Sequence, residues 1–231
     1  MNQSQARLNA KYGGRVSLAC LGGESPGWDM VSSPYSGLGE IAVSNLVTQA
    51  DRVISLPVLK THRYTQITGA LKNFVGVASL QRYGFGLPWR FMLHYCPGGI
   101  EPTFLDIVAG VKPDLTLIDV SVCCDGNGPQ VMPGWWGETL DMRERLGAWV
   151  MLASTDLVAA DATAARIMGQ SVADVRHLDQ AQRRGLGQTR AERITLVGAR
   201  LEELQVAWKP ATPARNVVES LPSGFAWLLH L

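Results

Sequence analysis

Residues 115–122 read L-T-L-I-D-V-S-V. The run is short, apolar and rich in β-branched residues. It opens after the turn Lys112-Pro113-Asp114 and closes on Asp125, Gly126, Asn127, Gly128 and Pro129. That pattern predicts a buried strand. The stretches around it set the fold class. Residues 103–111 before it carry helical patterning. Residues 148–153 (A-W-V-M-L-A) after it read as a second buried strand, and Ser154-Thr155-Asp156 then caps a helix to about Met168, where Gly169 stops it. Further strands are predicted at 15–20, 52–59 and 193–197, with Pro57 marking a strand end or edge. Helices are predicted at 41–50, 65–78 and 172–184, and loops at 24–39, 81–99 and 125–137. Strands alternating with helices predict an α/β fold with a mostly parallel sheet flanked by helices. The expected organisation is a single α/β domain over 1–208, followed by a tail over 209–231.

Composition narrows the function classes. The 231 residues are 46% hydrophobic and 18% charged, which supports a real core and argues against disorder. Basic and acidic residues nearly cancel, 21 against 20, so no general nucleic-acid footprint is expected. No apolar run approaches membrane-spanning length, and the polar start has no signal-peptide core. Cys20, Cys96, Cys123 and Cys124 form no C-x-x-C pair. The chain therefore has no iron–sulfur ligand motif of its own, and a reducing cytoplasmic setting is expected.

Three strand-end groups carry the candidate chemistry, because ligands of open α/β sheets collect at the carboxyl ends of strands. The first is L-P-V-L-K-T-H, with Lys60 and His62, followed by Thr68, Lys72 and Asn73. Lysine is scarce in this chain, which uses Lys11, Lys60, Lys72, Lys112 and Lys209 against sixteen arginines. Two of the five flanking one apolar segment suggest convergence on an anion, although solvated surface lysines would look the same. His62 reads as a general acid/base or as a packed histidine. The second group is Asp119 within the apolar run, then Asp125, Gly126, Asn127 and Gly128, which read as a ligand loop or as a plain turn. The third is Asp156, a helix cap or a ligand contact, and Asp161 among alanines. A carboxylate in an alanine-rich, buried helix calls for a partner, and Lys60 or Lys72 is the expected one. His62, His94 and Asp119 form a weak candidate metal set. Arg183 and Arg184 read as a solvated helix face.

The strings L-P-V-L-K-T-H, T-G-A-L-K-N-F-V-G, K-P-D-L-T-L-I-D, D-G-N-G-P and A-S-T-D-L-V-A-A-D-A-T-A-A-R-I-M-G together resemble the family catalogued as domain of unknown function 362. The resemblance runs from about 51 to 198, in family order. It implies an α/β domain of intracellular bacterial or archaeal origin. Many members carry a fused ferredoxin-like segment, which is not found here, so cluster binding does not carry over. The carry-over reaches Lys60, His62, Lys72, Asn73, Asp119, Gly126, Gly128, Pro129, Asp156 and Asp161. The family's early strand and helix have no counterpart before Arg15. The sheet is thus expected to lack its first strand and helix and to show an open edge or an exposed apolar face there.

Three functions compete on these readings. The first is a redox- or cofactor-linked enzyme acting on an anionic small molecule, with His62, Lys60 and Asp161 catalytic. The second is a non-catalytic module that delivers a cofactor or cluster. The third is a metal-dependent hydrolase. No cofactor is identified. The expected partners are a small anionic ligand, a redox partner protein and a second copy of the chain, but neither nucleic acid nor a membrane.

Overall fold

The computed structural model describes residues 3–21, 27–84, 86, 90–126, 128 and 137–211. The expectations for Asn127, Pro129, most of the 125–137 loop and nearly all of the tail fall outside these residues. Strands β1 (Trp28–Ser33) and β2 (Gly39–Ser44) form an antiparallel hairpin. The main sheet contains β3 (Ile54–Ser55), β4 (Val58–His62), β5 (Gln66–Thr68), β6 (Leu115–Gly126), β7 (Gly137–Asp141) and β8 (Met151–Ser154). The helices are α1 (Gln3–Tyr12), α2 (Asn45–Thr48), α3 (Ala70–Asn73), α4 (Leu80–Tyr83), α5 (Phe91–His94), α6 (Ile100–Val111), α7 (Met142–Leu146), α8 (Leu157–Ile167), α9 (Arg176–Arg183) and α10 (Leu201–Leu204).

The strand that decided the fold class is the axis of the sheet. β3 and β4 run parallel to β6, end to end along one side, with Ile54 opposite Leu115 and Val58 opposite Asp119. β8 and β7 line the other side antiparallel, and β5 returns antiparallel on β4. This is the expected α/β fold, with parallel pairing at its centre and hairpin additions around it. Pro57 sits at the break between β3 and β4, where its carbonyl accepts from Asp119 N–H at 2.8 Å. A residue without an N–H fits such a break.

Ile118 and Val120 on β6 join one core cluster with side chains from α3, α6 and α8. α8 is buried along nearly its whole length, and its alanines let neighbours approach closely. Exposure alternates along residues 54–59, so Ile54, Leu56 and Val58 stand out on the opposite face with Met151.

Several local readings change. Residues 15–20 and 193–197 are not strands; Val197 is 95% exposed and pairs with no strand. The predicted helix at 41–50 starts as β2, whose Ile41–Ser44 part is wholly buried, a run that periodicity cannot separate from a buried helix. β1 lies within the predicted 24–39 loop. The predicted helix at 65–78 is β5, then α3 and a 3-10 turn, because Gly69 at φ −145° and ψ −134° breaks it. Arg184 is not on a solvated face. It pairs with Asp106 at 3.0 Å and lies over the Tyr35 ring at 3.9 Å. Asp106 also accepts from Ser33 Oγ and from the Tyr35 and Ser36 amides, which clasps the β1–β2 turn to α6.

Candidate functional site

The β4–β5 hairpin and the turn into α3 build the site. β4 carries Lys60 and His62, and in register Lys60 lies opposite Thr68 and His62 opposite Gln66. On the other side Lys60 aligns with Cys124 of β6. The chain then passes Gly69 into α3, which presents Lys72. What fixes this turn is Asp161. Its Oδ1 accepts from the Ala70 amide at 2.6 Å and its Oδ2 from the Leu71 amide at 3.0 Å. A Cβ on residue 69 would stand 2.2 Å from Oδ1, so the T-G-A-L-K string needs its glycine to admit the carboxylate. Asp161 is fully buried, and burial pushes it up to about 7 against the pull of the Leu71 and Ala70 amides. The cationic partner expected for Asp161 is replaced by two backbone donors, which offset only part of the cost of burying the carboxylate.

His62 is 3% exposed and sits between two hydrogen bonds. The Tyr64 amide donates to Nδ1 at 3.1 Å, and Nε2 lies 3.1 Å from Lys72 Nζ. His94 stacks edge-on against Tyr64, with ring centroids 5.5 Å apart, and its Nδ1 lies 3.2 Å from the Arg90 carbonyl. Burial, then Lys72, His94, Lys60 and Arg63, hold His62 down to about 2. Burial, then Lys60, hold Lys72 down to about 7. Burial and Lys72 hold His94 down to about 4. Among the described residues, no carboxylate forms an ion pair with Lys60 or Lys72. Thr68 Oγ1, opposite Lys60, is buried and has no hydrogen-bond partner among them.

Lys60, His62, Thr68 and Lys72 are thus brought together, and Asp161 supports them from behind. The other candidates are engaged elsewhere. Asp119 accepts from the Ser121 amide at 2.8 Å and from Ser121 Oγ at 2.5 Å. Asp156 caps α8 through Ala159 at 2.9 Å and binds the Gln188 amide at 2.9 Å. Asn73 is exposed and donates to Ser55 Oγ. The Gly126 carbonyl accepts from Thr61 Oγ1 at 2.7 Å, and its amide donates to the Lys209 carbonyl at 2.8 Å. A Cβ on Gly128 would come within 2.3 Å of the Thr61 carbonyl, so this glycine packs directly against β4. Among the described residues, no group of three or more His, Cys, Asp or Glu is placed to hold a metal. Tyr64 and Gly69 were missed by sequence reasoning. Gly69 lies inside one of the strings that flag the site and Tyr64 between two of them, but a backbone amide and a missing Cβ carry no chemical label.

The family profile described as Domain of unknown function (DUF362) matches residues 12–166, which contain every site residue described above. A thylakoid-associated protein of Synechocystis sp. is 27% identical to this chain over 152 residues, covering 66% of this chain and 43% of that protein. The chain thus spans less than half the length of that curated relative. No solved structure matches it. Among the described residues, no helix is long and apolar enough to cross a membrane.

Proposed function

The chain belongs to the Domain of unknown function (DUF362) family, and from that premise we propose that it is an enzyme acting on an anionic small molecule at the carboxyl end of β4. One observation carries this reading: Lys60 and Lys72 lie beside His62, and among the described residues neither forms an ion pair with a carboxylate. Partly buried positive charge without a facing carboxylate is complemented by an anion. Lys60 supplies the fixed charge, and the unpartnered Thr68 hydroxyl opposite it is a ready hydrogen-bond donor. Proton transfer near neutral pH suits Lys72, held near 7, better than His62, which stays neutral far below that. His62 then orients the Lys72 amine. The redox linkage rests on the family resemblance alone. A reducing cytoplasmic compartment fits the four unpaired cysteines.

Titration calorimetry with inorganic phosphate tests the reading. Losing one charge-assisted contact costs about 1.5–3 kcal/mol, so Lys60→Ala weakens binding by roughly 10- to 150-fold. Lys209→Ala leaves it unchanged, because Lys209 is already neutralised by Glu138. Equal effects at the two lysines, or no phosphate binding by the unaltered chain, contradict it.

A further inference from the structure

The hydrogen bonds of His62 determine the state of Lys72. A neutral imidazole carries one N–H and one lone pair. The Tyr64 amide donates to Nδ1, so the lone pair is on Nδ1 and the ring proton is on Nε2. Nε2–H points at Lys72 Nζ, 3.1 Å away. An ammonium group has three donors and no acceptor, so it cannot receive that proton. Only a free amine completes the contact.

The surroundings agree. The charged and titratable groups that bear on Lys72, or on which it bears, are Lys60 on β4, His62 beside it, His94 on α5 and His177 on α9. None is acidic, and Asp161 spends both oxygens on the amides of Ala70 and Leu71. Burial and the charge of Lys60 both lower the Lys72 ammonium toward the free base, while His62 stays uncharged. A lysine desolvated next to a second lysine is an activated nucleophile.

We infer that Lys72 captures a carbonyl substrate as an imine, and that this substrate is an aldehyde or ketone bearing a carboxylate or phosphate that Lys60 holds. The anionic part of this inference rests on the reading above. In the reaction the Nζ lone pair is released from its contact with His62 Nε2–H and adds to the carbonyl carbon, and the C=O π pair moves onto oxygen. Both amine protons end on that oxygen, which leaves as water, and a C=N bond remains. No oxidant or further reactant is required. Thr68, opposite Lys60 in register, carries a buried hydroxyl with no partner among the described residues.

The test is reductive trapping on the full chain. The protein is incubated with glyoxylate and sodium cyanoborohydride at neutral pH, and modified lysines are mapped by mass spectrometry of peptides. Acetaldehyde, which has no anionic group, is run in parallel. An ordinary lysine is almost entirely protonated under these conditions, so Lys72 should be labelled at least about tenfold faster than Lys11, Lys112 and Lys209. Lys60→Ala should slow labelling by glyoxylate but not by acetaldehyde. Lys72→Arg should remove the fast label. Labelling that follows exposure, with Lys72 no faster than the surface lysines, overturns the inference. If phosphate binding still depends on Lys60 in that case, the anion reading stands without it. Fast Lys72 labelling by both aldehydes regardless of Lys60 overturns the anionic substrate and keeps the nucleophile.

Discussion

At Asp161 a carboxylate with no exposed surface is held by backbone rather than by a cation. The arrangement positions Lys72, because the two amides it grips open the single helical turn that carries that lysine. Asp161→Ala would orphan both donors at about 1–3 kcal/mol each, so a loss of roughly 2–6 kcal/mol is expected in urea unfolding. Asp161→Asn keeps one good acceptor and loses less. Gly69→Ala pushes a methyl into Oδ1 and costs about 1–3 kcal/mol. Unchanged stability in Asp161→Ala would show that the turn forms without the carboxylate.

The elements differ in how far their residues announce them. α8 is legible because Asp156 supplies a helix cap and an unbroken alanine-rich run follows. β6 is legible from its apolar β-branched run, although its length, through to Gly126, is visible only once β7 pairs with its second half. β2 is not legible, since four consecutive buried residues have no strand signature that a buried helix lacks. β5 and α3 together mimic one helix: Ile67 and Leu71 fall at helical spacing although Gly69 separates them. Within the site, Lys60, His62 and Lys72 stand out because lysine is rare and strand ends gather ligands. The partners of Asp161 and Arg184 do not stand out. Backbone amides have no sequence label, and nothing links Arg184 to Asp106, 78 residues earlier, before the fold exists.

For the whole molecule, the buried histidines govern acid stability. His62, His94 and His177 are held down to about 2, 4 and 3, chiefly by burial, and both His177 ring nitrogens lack partners among the described residues. Below about 6.5 the unfolded chain protonates all three while the native chain does not, so their contribution to stability is lost as pH falls. Asp161, raised to about 7, acts oppositely, since below that pH the native chain holds its proton more tightly. Three protons against one leave a net slope of roughly 2–3 kcal/mol per pH unit between about pH 6 and 4.5, lost on acidification. Urea unfolding across that window measures it, and a flat profile would mean that these groups are not buried as described. Ile54, Leu56, Val58 and Met151 add an exposed apolar sheet face on the side away from Ile118 and Val120, so whole-chain mapping is the fair trial of where ligands go. The central claim is that anions bind at the end of β4. Nuclear magnetic resonance spectra of the isotopically labelled chain, followed through a phosphate titration, test it most directly. The account predicts saturating shifts confined to residues 60–72, His94 and Cys124. Shifts scattered over the surface, or centred on residues 125–128 with Lys60 and Lys72 unmoved, would contradict it.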